Sequence, residues 1–196
     1  GENYHDLQFS LHVLQVYRTE ATILQPIPDT EGEPVSLFVE TTSQVLLRLG
    51  NPGNGVDDFI LSADIIFNET MTSPPLVQFQ TYNPERTLGA LATTIATVDV
   101  TLSQDTPALE PFWLSFTWKS LGNDSVSSVV NLLVQAEPDH SWEIDFEHGI
   151  EYDVVPMEQI SLNFTAKNVG NAVDSIIIQP EFTMQYFGQD GSVWEA

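Results

Sequence analysis

The 196-residue sequence contains no cysteine and few basic residues, and both absences limit what the protein can be. Without cysteine no disulfide can form, which is ordinary for archaeal or bacterial surface proteins and unusual for a vertebrate secreted domain. Five Lys and Arg stand against 28 Asp and Glu, so the formal net charge is −23. Nucleic acid is therefore excluded as a partner, because binding a phosphate backbone requires a basic surface.

The acidic excess also indicates the surroundings that suit the chain. Self-repulsion keeps so acidic a protein soluble, and this repulsion is tolerated best where salt screens it. The composition is typical of a marine or halophilic exterior, and of archaeal or bacterial surface proteins. We therefore expect an extracellular or cell-surface location.

Signals for membrane insertion and for catalysis are missing as well. No apolar run approaches the ~20 residues of a membrane-spanning helix, and no signal peptide begins the sequence. We expect no membrane span in this segment, which would be a mature protein or an excised part of one. The sequence has no nucleophile elbow, P-loop, dinucleotide fingerprint or HExxH motif, and so many carboxylates produce acidic pairs by chance. We predict that the protein is not an enzyme.

What the sequence does contain is apolar residues that alternate with polar ones, the pattern of half-buried β-strands. Helical periodicity is nearly absent, although residues 84–92 could form one helical turn. Turn signals, such as the Ser-Pro-Pro of residues 73–75, separate the alternating runs. Seven strands are predicted, enough for one immunoglobulin-like β-sandwich. They cover residues 35–39, 45–49, 59–67, 76–79, 96–102, 112–118 and 129–134.

One short stretch occurs twice in the chain. Residues 51–60 read NPGNGVDDFI and residues 168–177 read NVGNAVDSII, so the two copies lie 117 residues apart and match at six of ten positions. Each copy follows an alternating run and leads into another, which predicts a β-hairpin turn in both places. The structural turn residues, expected to supply positive φ, are Gly53, Asn54, Gly170 and Asn171.

The repeat predicts an all-β protein built of tandem immunoglobulin-like sandwiches. Segments rich in proline and acidic residues indicate a linker or entry loop at 25–34 and a joint between units at 137–140. The first sandwich is assigned to residues 20–137 and the second to residues 138–196. About 85 residues follow the first copy within its unit and fewer than 30 follow the second, so we expect the second sandwich to be smaller or truncated.

Residues 1–19 are predicted to form a leading strand and a linker, because apolar residues alternate over 6–17. Three interpretations are open. The strand joins the first sandwich as its leading edge, belongs to a preceding repeat, or is donated to another copy of the chain. Donation between copies would not close on itself and would therefore build an open filament.

An alternating run followed by Asn-x-Gly-Asn and then Val-Asp resembles the CARDB-type and NPCBM-associated immunoglobulin-like repeats of archaeal and bacterial cell-surface proteins. The resemblance covers residues 34–67 and 157–186. It implies sandwich repeats with a structural role, in an S-layer, in adhesion or as a spacer, and neighbouring copies or repeats as partners. The alternatives are a filament or pilus subunit assembled by strand donation, and a calcium- or glycan-binding module.

Three Asn-x-Ser/Thr sequons are candidate glycosylation sites, as expected for a surface glycoprotein. They begin at Asn68, Asn123 and Asn163. Asn163 alternates with the apolar Leu162 and Phe164, so its side chain is predicted to face solvent.

No cofactor is predicted, but calcium is kept open as a ligand because oxygen donors abound and none of them forms an EF-hand. The densest group of possible ligands runs from 140 to 148. There Glu143, Asp145 and Glu147 would share one strand face, which predicts a solvated acidic surface and not a transition-metal site. The candidate calcium ligands are Asp57, Asp58, Asp124 and Asp190.

The four tryptophans, at positions 113, 118, 142 and 194, have two possible roles. Exposed on one surface, they would form a platform for a sugar, which keeps glycans open as partners. Trp118 and Trp142 each continue an alternating apolar run, however, and this pattern favours the core.

Overall fold

The computed structural model describes residues 10–28, 30–147, 159, 161–179, 185–187 and 193–195. Within these residues the regular secondary structure consists of β-strands alone, which confirms the predicted all-β class. The described part of the chain holds no helix long and apolar enough to cross a membrane. The strands are β1 (Glu20–Gln25), β2 (Val35–Leu37), β3 (Thr42–Gly50), β4 (Asp57–Ile66), β5 (Val77–Thr81), β6 (Glu85–Leu88), β7 (Thr93–Leu102), β8 (Phe112–Ser120), β9 (Ser127–Ala136), β10 (Trp142–Phe146), β11 (Phe164–Asn168), β12 (Gln185–Phe187) and β13 (Val193–Glu195).

The first nine strands form two sheets. One sheet has the order β1-β3-β7-β5 and the other has the order β2-β9-β8-β4-β6. The pairs are antiparallel except for β2, which runs parallel to β9. The chain thus contributes β1 to one sheet and β2 to the other. Two sheets of this composition form an immunoglobulin-like sandwich.

The core lies between the two sheets and follows from the alternation in the sequence. Every second side chain is buried from Val45 to Leu49 in β3 and from Ala96 to Leu102 in β7, and in β8 the aromatic and aliphatic residues of the inner face are at most 1% exposed. Trp118 stacks on Phe59 with ring centroids 4.9 Å apart, and its indole nitrogen donates to the carbonyl oxygen of Gly50. Each large side chain buried in this way stabilises the fold by about 1.5–3 kcal/mol.

The strand registers place the two ends of this sandwich. Glu20 of β1 pairs with Gly50 of β3, which also pairs with Thr93, so the chain reaches the sandwich at the end that carries residues 51–56. We name this the upper end. At the opposite, lower end, Phe112 pairs with Val134 shortly before β9 finishes, and the chain leaves there. The chain therefore arrives at one end of the sandwich and departs from the other.

After β9 the described strands form two small sheets. β10 pairs antiparallel with β11, and β12 pairs antiparallel with β13. Phe146 and Phe164 contact each other across the first of these pairs, with ring centroids 5.8 Å apart. A complete second sandwich over residues 138–196 stays a prediction.

All seven predicted strands of the first sandwich are present, and the differences lie at its edges. The helical turn over 84–92 is wrong, because that segment contains the short edge strand β6. The strand predicted over 6–17 is also wrong where it can be compared, because residues 10–19 belong to no strand. Residues 6–9 lie outside the described part. The leading edge of the first sheet is instead β1, which pairs with β3.

Candidate functional site

The first copy of the repeated stretch is a crossover between sheets. It connects β3 with β4, which belong to different sheets, so the predicted hairpin is wrong. We name residues 51–55 the first loop. Asn51 fixes its shape: this side chain is 2% exposed, donates to the carbonyl oxygens of Gly55 and Leu88 at 2.9 and 3.0 Å, and accepts from the backbone N–H of Gly53 at 3.0 Å.

The second copy has the same internal hydrogen bonds. We name residues 168–172 the second loop. Asn168, which aligns with Asn51, donates to the carbonyl oxygen of Ala172 at 2.8 Å and accepts from the N–H of Gly170 at 2.9 Å. A buried or half-buried amide that satisfies both its donor and its acceptor in this way fixes one loop conformation. The shared sequence therefore produces a shared backbone frame.

The glycines of the two loops have a role that differs from the predicted one. Gly53, Asn54, Gly170 and Asn171 all lie outside the positive φ region, so the prediction of positive φ is wrong. A Cβ added at Gly53 would instead lie under 3.0 Å from the carbonyl oxygen of Val16, and one at Gly170 would lie as close to that of Asp139. Glycine is required because another chain segment approaches the loop backbone.

At the first loop the approaching segment is residues 14–16. The backbone N–H of Val16 donates to Oδ1 of Asn54 at 2.6 Å, and Nδ2 of Asn54 donates to the carbonyl oxygen of Leu14 at 2.9 Å. The N–H of Asn54 also donates to the carbonyl oxygen of Val16 at 3.3 Å. Asn54 thus binds two backbone groups that lie two residues apart.

At the second loop the approaching segment is residues 137–139, which directly follow β9. The N–H of Asp139 donates to Oδ1 of Asn171 at 2.7 Å, and Nδ2 of Asn171 donates to the carbonyl oxygen of Glu137 at 3.1 Å. These are the same two contacts, with Leu14 replaced by Glu137 and Val16 by Asp139. Because only backbone groups are bound, the two segments need no sequence in common.

The second loop also contacts the lower end of the sandwich. Nδ2 of Asn171 donates to the carbonyl oxygen of Thr106 at 3.2 Å, and the carbonyl oxygen of Asn171 accepts from the N–H of Ala108 at 3.3 Å. Gln104 donates from Nε2 to the carbonyl oxygen of Val169 at 3.1 Å and to the carboxylate of Asp139 at 2.6 Å. The second loop is therefore bound both by residues 137–139, which we name the linker, and by the loop between β7 and β8.

Two carboxylates beside the second loop are stabilised in their charged form. The hydroxyl of Ser141 and the amide of Gln104 donate to Asp139 and lower its pKa. The pKa of Asp174 is also lowered, first by the backbone N–H of Ser175 and further by the indole of Trp142 and by His140, whose Nδ1 lies 3.2 Å from the carboxylate. Hydrogen bonds donated to a carboxylate stabilise its charged form and so lower the pKa of the carboxyl group.

The candidate calcium ligands each have a protein partner where they are described. Asp57 is 6% exposed and accepts from Oγ of Ser120 at 2.5 Å and from the N–H of Gly122 at 3.1 Å. Asp58 accepts from Thr87, Asp124 forms an ion pair with Lys119 at 2.9 Å, and Asp190 lies outside the described residues. The described residues include no group of three or more His, Asp or Glu placed to hold a metal ion. Calcium binding stays a prediction.

The residues of the acidic cluster and the sequons are distributed over the surface. Glu143, Asp145 and Glu147 are exposed, as a solvated acidic face requires, while His148 lies outside the described residues. Asn68 is exposed, whereas Asn123 is half-buried and accepts from the N–H and hydroxyl of Ser125. Asn163 is exposed, as predicted, and donates to Glu147. Glycosylation at these positions stays a prediction.

The tryptophans do not share a surface. Trp118 is fully buried, which confirms its place in the core, and Trp142 is half-buried beside Asp174. Trp113 is 42% exposed and lines a groove of about 240 Å³ with Pro26 and Leu133. Trp194 lies outside the residues whose side chains are described. The three described tryptophans thus occupy three separate places.

Comparison with known proteins adds little beyond the fold. No protein-family model matches the chain, and no curated protein matches it. Among solved structures the chain is similar to a PapD-like domain of human CEP192, with 12% identity and a TM-score of 0.35 over 61% of this chain and 84% of that one. It is also similar to activated Escherichia coli alpha-2-macroglobulin, with 8% identity and a TM-score of 0.38 over 67% of this chain and 10% of that one. The periplasmic chaperone SfaE matches with 10% identity and a TM-score of 0.36 over 90% of this chain and 97% of that one. Similarity this low carries no argument about function.

Proposed function

We propose that the protein is a structural segment of a cell-surface or extracellular protein, in which immunoglobulin-like sandwiches follow one another end to end as a spacer. One observation carries this proposal. The second loop binds the linker that leaves the first sandwich and, through Asn171, binds the lower end of that sandwich as well. A following unit attached by side-chain and backbone bonds of this kind has a defined orientation.

The direction of the chain through the first sandwich fits a spacer. The chain arrives at the upper end and leaves at the lower end, so successive units extend the molecule. β3, with nine residues, runs the length of the sandwich. At about 3.3 Å per residue, each such unit adds roughly 30 Å.

The surroundings of the protein are proposed from composition and resemblance. A net charge of −23 with no cysteine suits a salt-rich exterior, where screening limits self-repulsion. The Asn-x-Gly-Asn pattern supports kinship with the CARDB-type and NPCBM-associated surface repeats. An exposed sequon at Asn68 is available for glycosylation in such a location.

A distance measurement between the two units tests the spacer proposal. The absence of native cysteine allows spin labels at Ser62→Cys in β4 and Lys167→Cys in β11, both of which are exposed. We expect a narrow distribution of distances by double electron–electron resonance. Asn171→Ala should at least double its width, because it removes the bonds to the linker and to Thr106.

The matched control is Asn131→Ala, which changes an exposed asparagine on β9, away from the second loop. Its distance distribution should equal that of the parent. A parent distribution that is already broad would contradict the spacer proposal, because the two units would then have no fixed orientation.

A second candidate, a filament assembled by strand donation, is favoured by the exposure of the leading segment. Leu11, Val13 and Leu14 are 82%, 77% and 82% exposed, so they do not pack on their own sandwich. Exposed apolar residues that belong to no strand, in the segment that precedes the contact with Asn54, are available to complete a sheet in another copy. Light scattering of the full chain over a wide concentration range tests this idea. A chain that stays monomeric at high concentration contradicts it.

A further inference from the structure

The first loop offers hydrogen-bonding groups that correspond to those the second loop uses for the sandwich. Nδ2 of Asn171 donates to two carbonyl oxygens, one on the linker and one on Thr106. Nδ2 of Asn54 has the same two hydrogens, yet among the described residues it donates only to Leu14. Accordingly Asn54 is exposed, whereas Asn171 is half-buried. Among the described residues, the second Nδ2 hydrogen of Asn54 and its carbonyl oxygen have no hydrogen-bond partner.

We propose that the upper end of the first sandwich is a docking surface for the lower end of a second sandwich of the same kind, joined to it through residues 14–16. In this arrangement Asn54 occupies the place of Asn171. Its second Nδ2 hydrogen binds the carbonyl oxygen that corresponds to Thr106, and its own carbonyl oxygen accepts from the N–H that corresponds to Ala108. Pro52, which aligns with Val169, presents the carbonyl oxygen for the amide that corresponds to Gln104.

The position of residues 14–16 identifies the occupant. These residues already form the two backbone bonds that residues 137–139 form at the second loop, and residues 137–139 directly follow the last strand of a sandwich. A segment held in this register continues from a lower end. The remaining groups of Asn54 then meet a second segment, as those of Asn171 meet Thr106 and Ala108 in the loop between β7 and β8.

Exposed apolar side chains also lie at both ends of the sandwich. Val56, Leu91 and Leu121 are exposed at the upper end, and Phe38, Leu76 and Leu109 are exposed at the lower end. The three lower-end side chains stay exposed although the second loop is bound there, so apolar burial contributes little and the hydrogen bonds carry the docking. The polar contacts of Asn54 then set the orientation of the two sandwiches.

The inference rests on the proposed spacer function, and a duplication of the first sandwich tests it within the full chain. Residues 1–139 are followed directly by residues 17–196, so that Glu137 and Asp139 replace Leu14 and Val16 before the second copy. Ser62→Cys in both copies carries the spin labels. We expect a distance distribution as narrow as that between Ser62→Cys and Lys167→Cys in the unduplicated chain.

Three substitutions in the second copy test the contact, two at Asn54 and one control. Asn54→Ala should at least double the width of the distribution, whereas Asn131→Ala should leave it unchanged. Asn54→Asp keeps the acceptor for the linker N–H and removes only the donor, so it should also broaden the distribution. Circular dichroism spectra equal to those of the duplicated parent would show that these variants fold.

The outcomes separate this inference from the spacer proposal. A narrow distribution in the unduplicated chain with a broad one between the duplicated copies overturns the docking surface and leaves the spacer proposal intact. Broad distributions in both overturn the spacer proposal as well. A narrow distribution that Asn54→Ala and Asn54→Asp do not change also overturns the docking surface, because the linker alone would then fix the orientation.

Discussion

Asp57 and Asp174 occupy the same position in the two copies of the repeated stretch, yet they lie in different surroundings. Asp57 is 6% exposed and accepts hydrogen bonds from Ser120 and Gly122 of its own sandwich. Asp174 is exposed and pairs with His140, in the segment that follows the linker. Asp57 therefore stabilises the turn that follows β8, and Asp174 contacts the segment at the start of β10.

The difference shows which part of the repeat is independent of its surroundings. Asn51 and Asn168 form the same bonds within their loops, and Asn54 and Asn171 bind the approaching backbone in the same way. These contacts use only groups within the repeat and the backbone of another segment. The aspartates depend on side chains that only one of the two units supplies, so identical residues acquire different partners.

Equivalent substitutions in the two copies should differ most in their effect on the free energy of unfolding when they replace the aspartates. Asp57→Ala should lower the free energy of unfolding by about 3 kcal/mol, because it leaves the buried hydroxyl of Ser120 and N–H of Gly122 without their ionised acceptor. Urea denaturation followed by far-ultraviolet circular dichroism measures the change. Asp174→Ala should not move the transition of the first sandwich.

Asp58→Ala is the control for Asp57→Ala. Asp58 is the adjacent aspartate and accepts from Thr87 on the exposed side of β4. Its loss should cost no more than about 0.5 kcal/mol, as is usual for surface substitutions. Equal midpoints for Asp57→Ala and the parent would refute the structural role of the buried carboxylate.

The next effect concerns the glycines of the two loops. Gly53→Ala and Gly170→Ala each place a Cβ against a backbone carbonyl oxygen, of Val16 and Asp139 respectively. We expect a cost on the order of 1 kcal/mol or more for the strained approach. Gly170→Ala should also broaden the distances between Ser62→Cys and Lys167→Cys, because the linker must move away from the second loop.

Gly89→Ala provides a matched control at the same end of the sandwich as Gly53. A Cβ at Gly89 meets no atom within 4 Å, and its φ is not in the positive region. This substitution should be neutral or stabilise the protein by about 0.4–1 kcal/mol, because alanine reduces the freedom of the unfolded chain. Equal costs at Gly53, Gly170 and Gly89 would contradict a close approach at the loops.

The strands of the first sandwich were predictable because burial on one face produces alternation. Val98, Val100 and Leu102 show it in β7, and their side chains are indeed buried. Two edge strands had no such signal. β1 is half-buried along its middle, and β6 reads ERTL with a single apolar residue, Leu88, so neither sequence alternates apolar with polar residues.

The repeated loops were found from the sequence, but their role was assigned incorrectly. Glycine serves both positive φ and close approach, and the sequence alone does not distinguish them. The distinction depends on Val16 and Asp139, which lie 37 and 31 residues from the glycines they contact. Asn-Gly was also expected to mark a hairpin, yet β3 and β4 pair in different sheets. Such long-range partners follow from topology and not from local pattern.

A fall in pH should weaken the contacts around the second loop. Asp139 and Asp174 have lowered pKa values in the folded protein, so the stability they contribute is present above the ordinary aspartate pKa. It is lost as the pH falls through the lowered values. The distances between Ser62→Cys and Lys167→Cys should therefore broaden reversibly as the pH falls below the ordinary aspartate pKa of about 3.9.

Asp139→Asn separates this effect from general protonation of the acidic surface. Asparagine does not titrate and keeps one acceptor oxygen, so it retains the bond from Ser141 or the bond from Gln104 but not both. The variant should show a weaker dependence of distance width on pH than the parent. A parent whose distances are unchanged at pH 2 would show that neither carboxylate contributes to the orientation of the two units.

The smallest expected effect comes from the distribution of charge. Residues 20–136 carry 14 Asp and Glu against three Lys and Arg, and residues 137–196 carry 12 against one, so the second region has the same net charge in about half the length. The screening length falls from about 30 Å at 10 mM salt to about 3 Å at 1 M. Added NaCl should therefore slow amide hydrogen exchange more in β10 and β11 than in β8.

Calcium provides the sharpest version of this experiment. If repulsion alone is involved, CaCl₂ and NaCl at matched ionic strength should protect β10 and β11 to about the same extent, because both act by screening. Greater protection by calcium would reveal a specific site and favour the binding-module alternative. The position of the extra protection would then locate the site, either beside Asp57 and Asp58 in the first region or beyond β11 in the second. Exchange rates that do not respond to salt from about 10 mM to 1 M would show that the charges lie too far apart to destabilise either region.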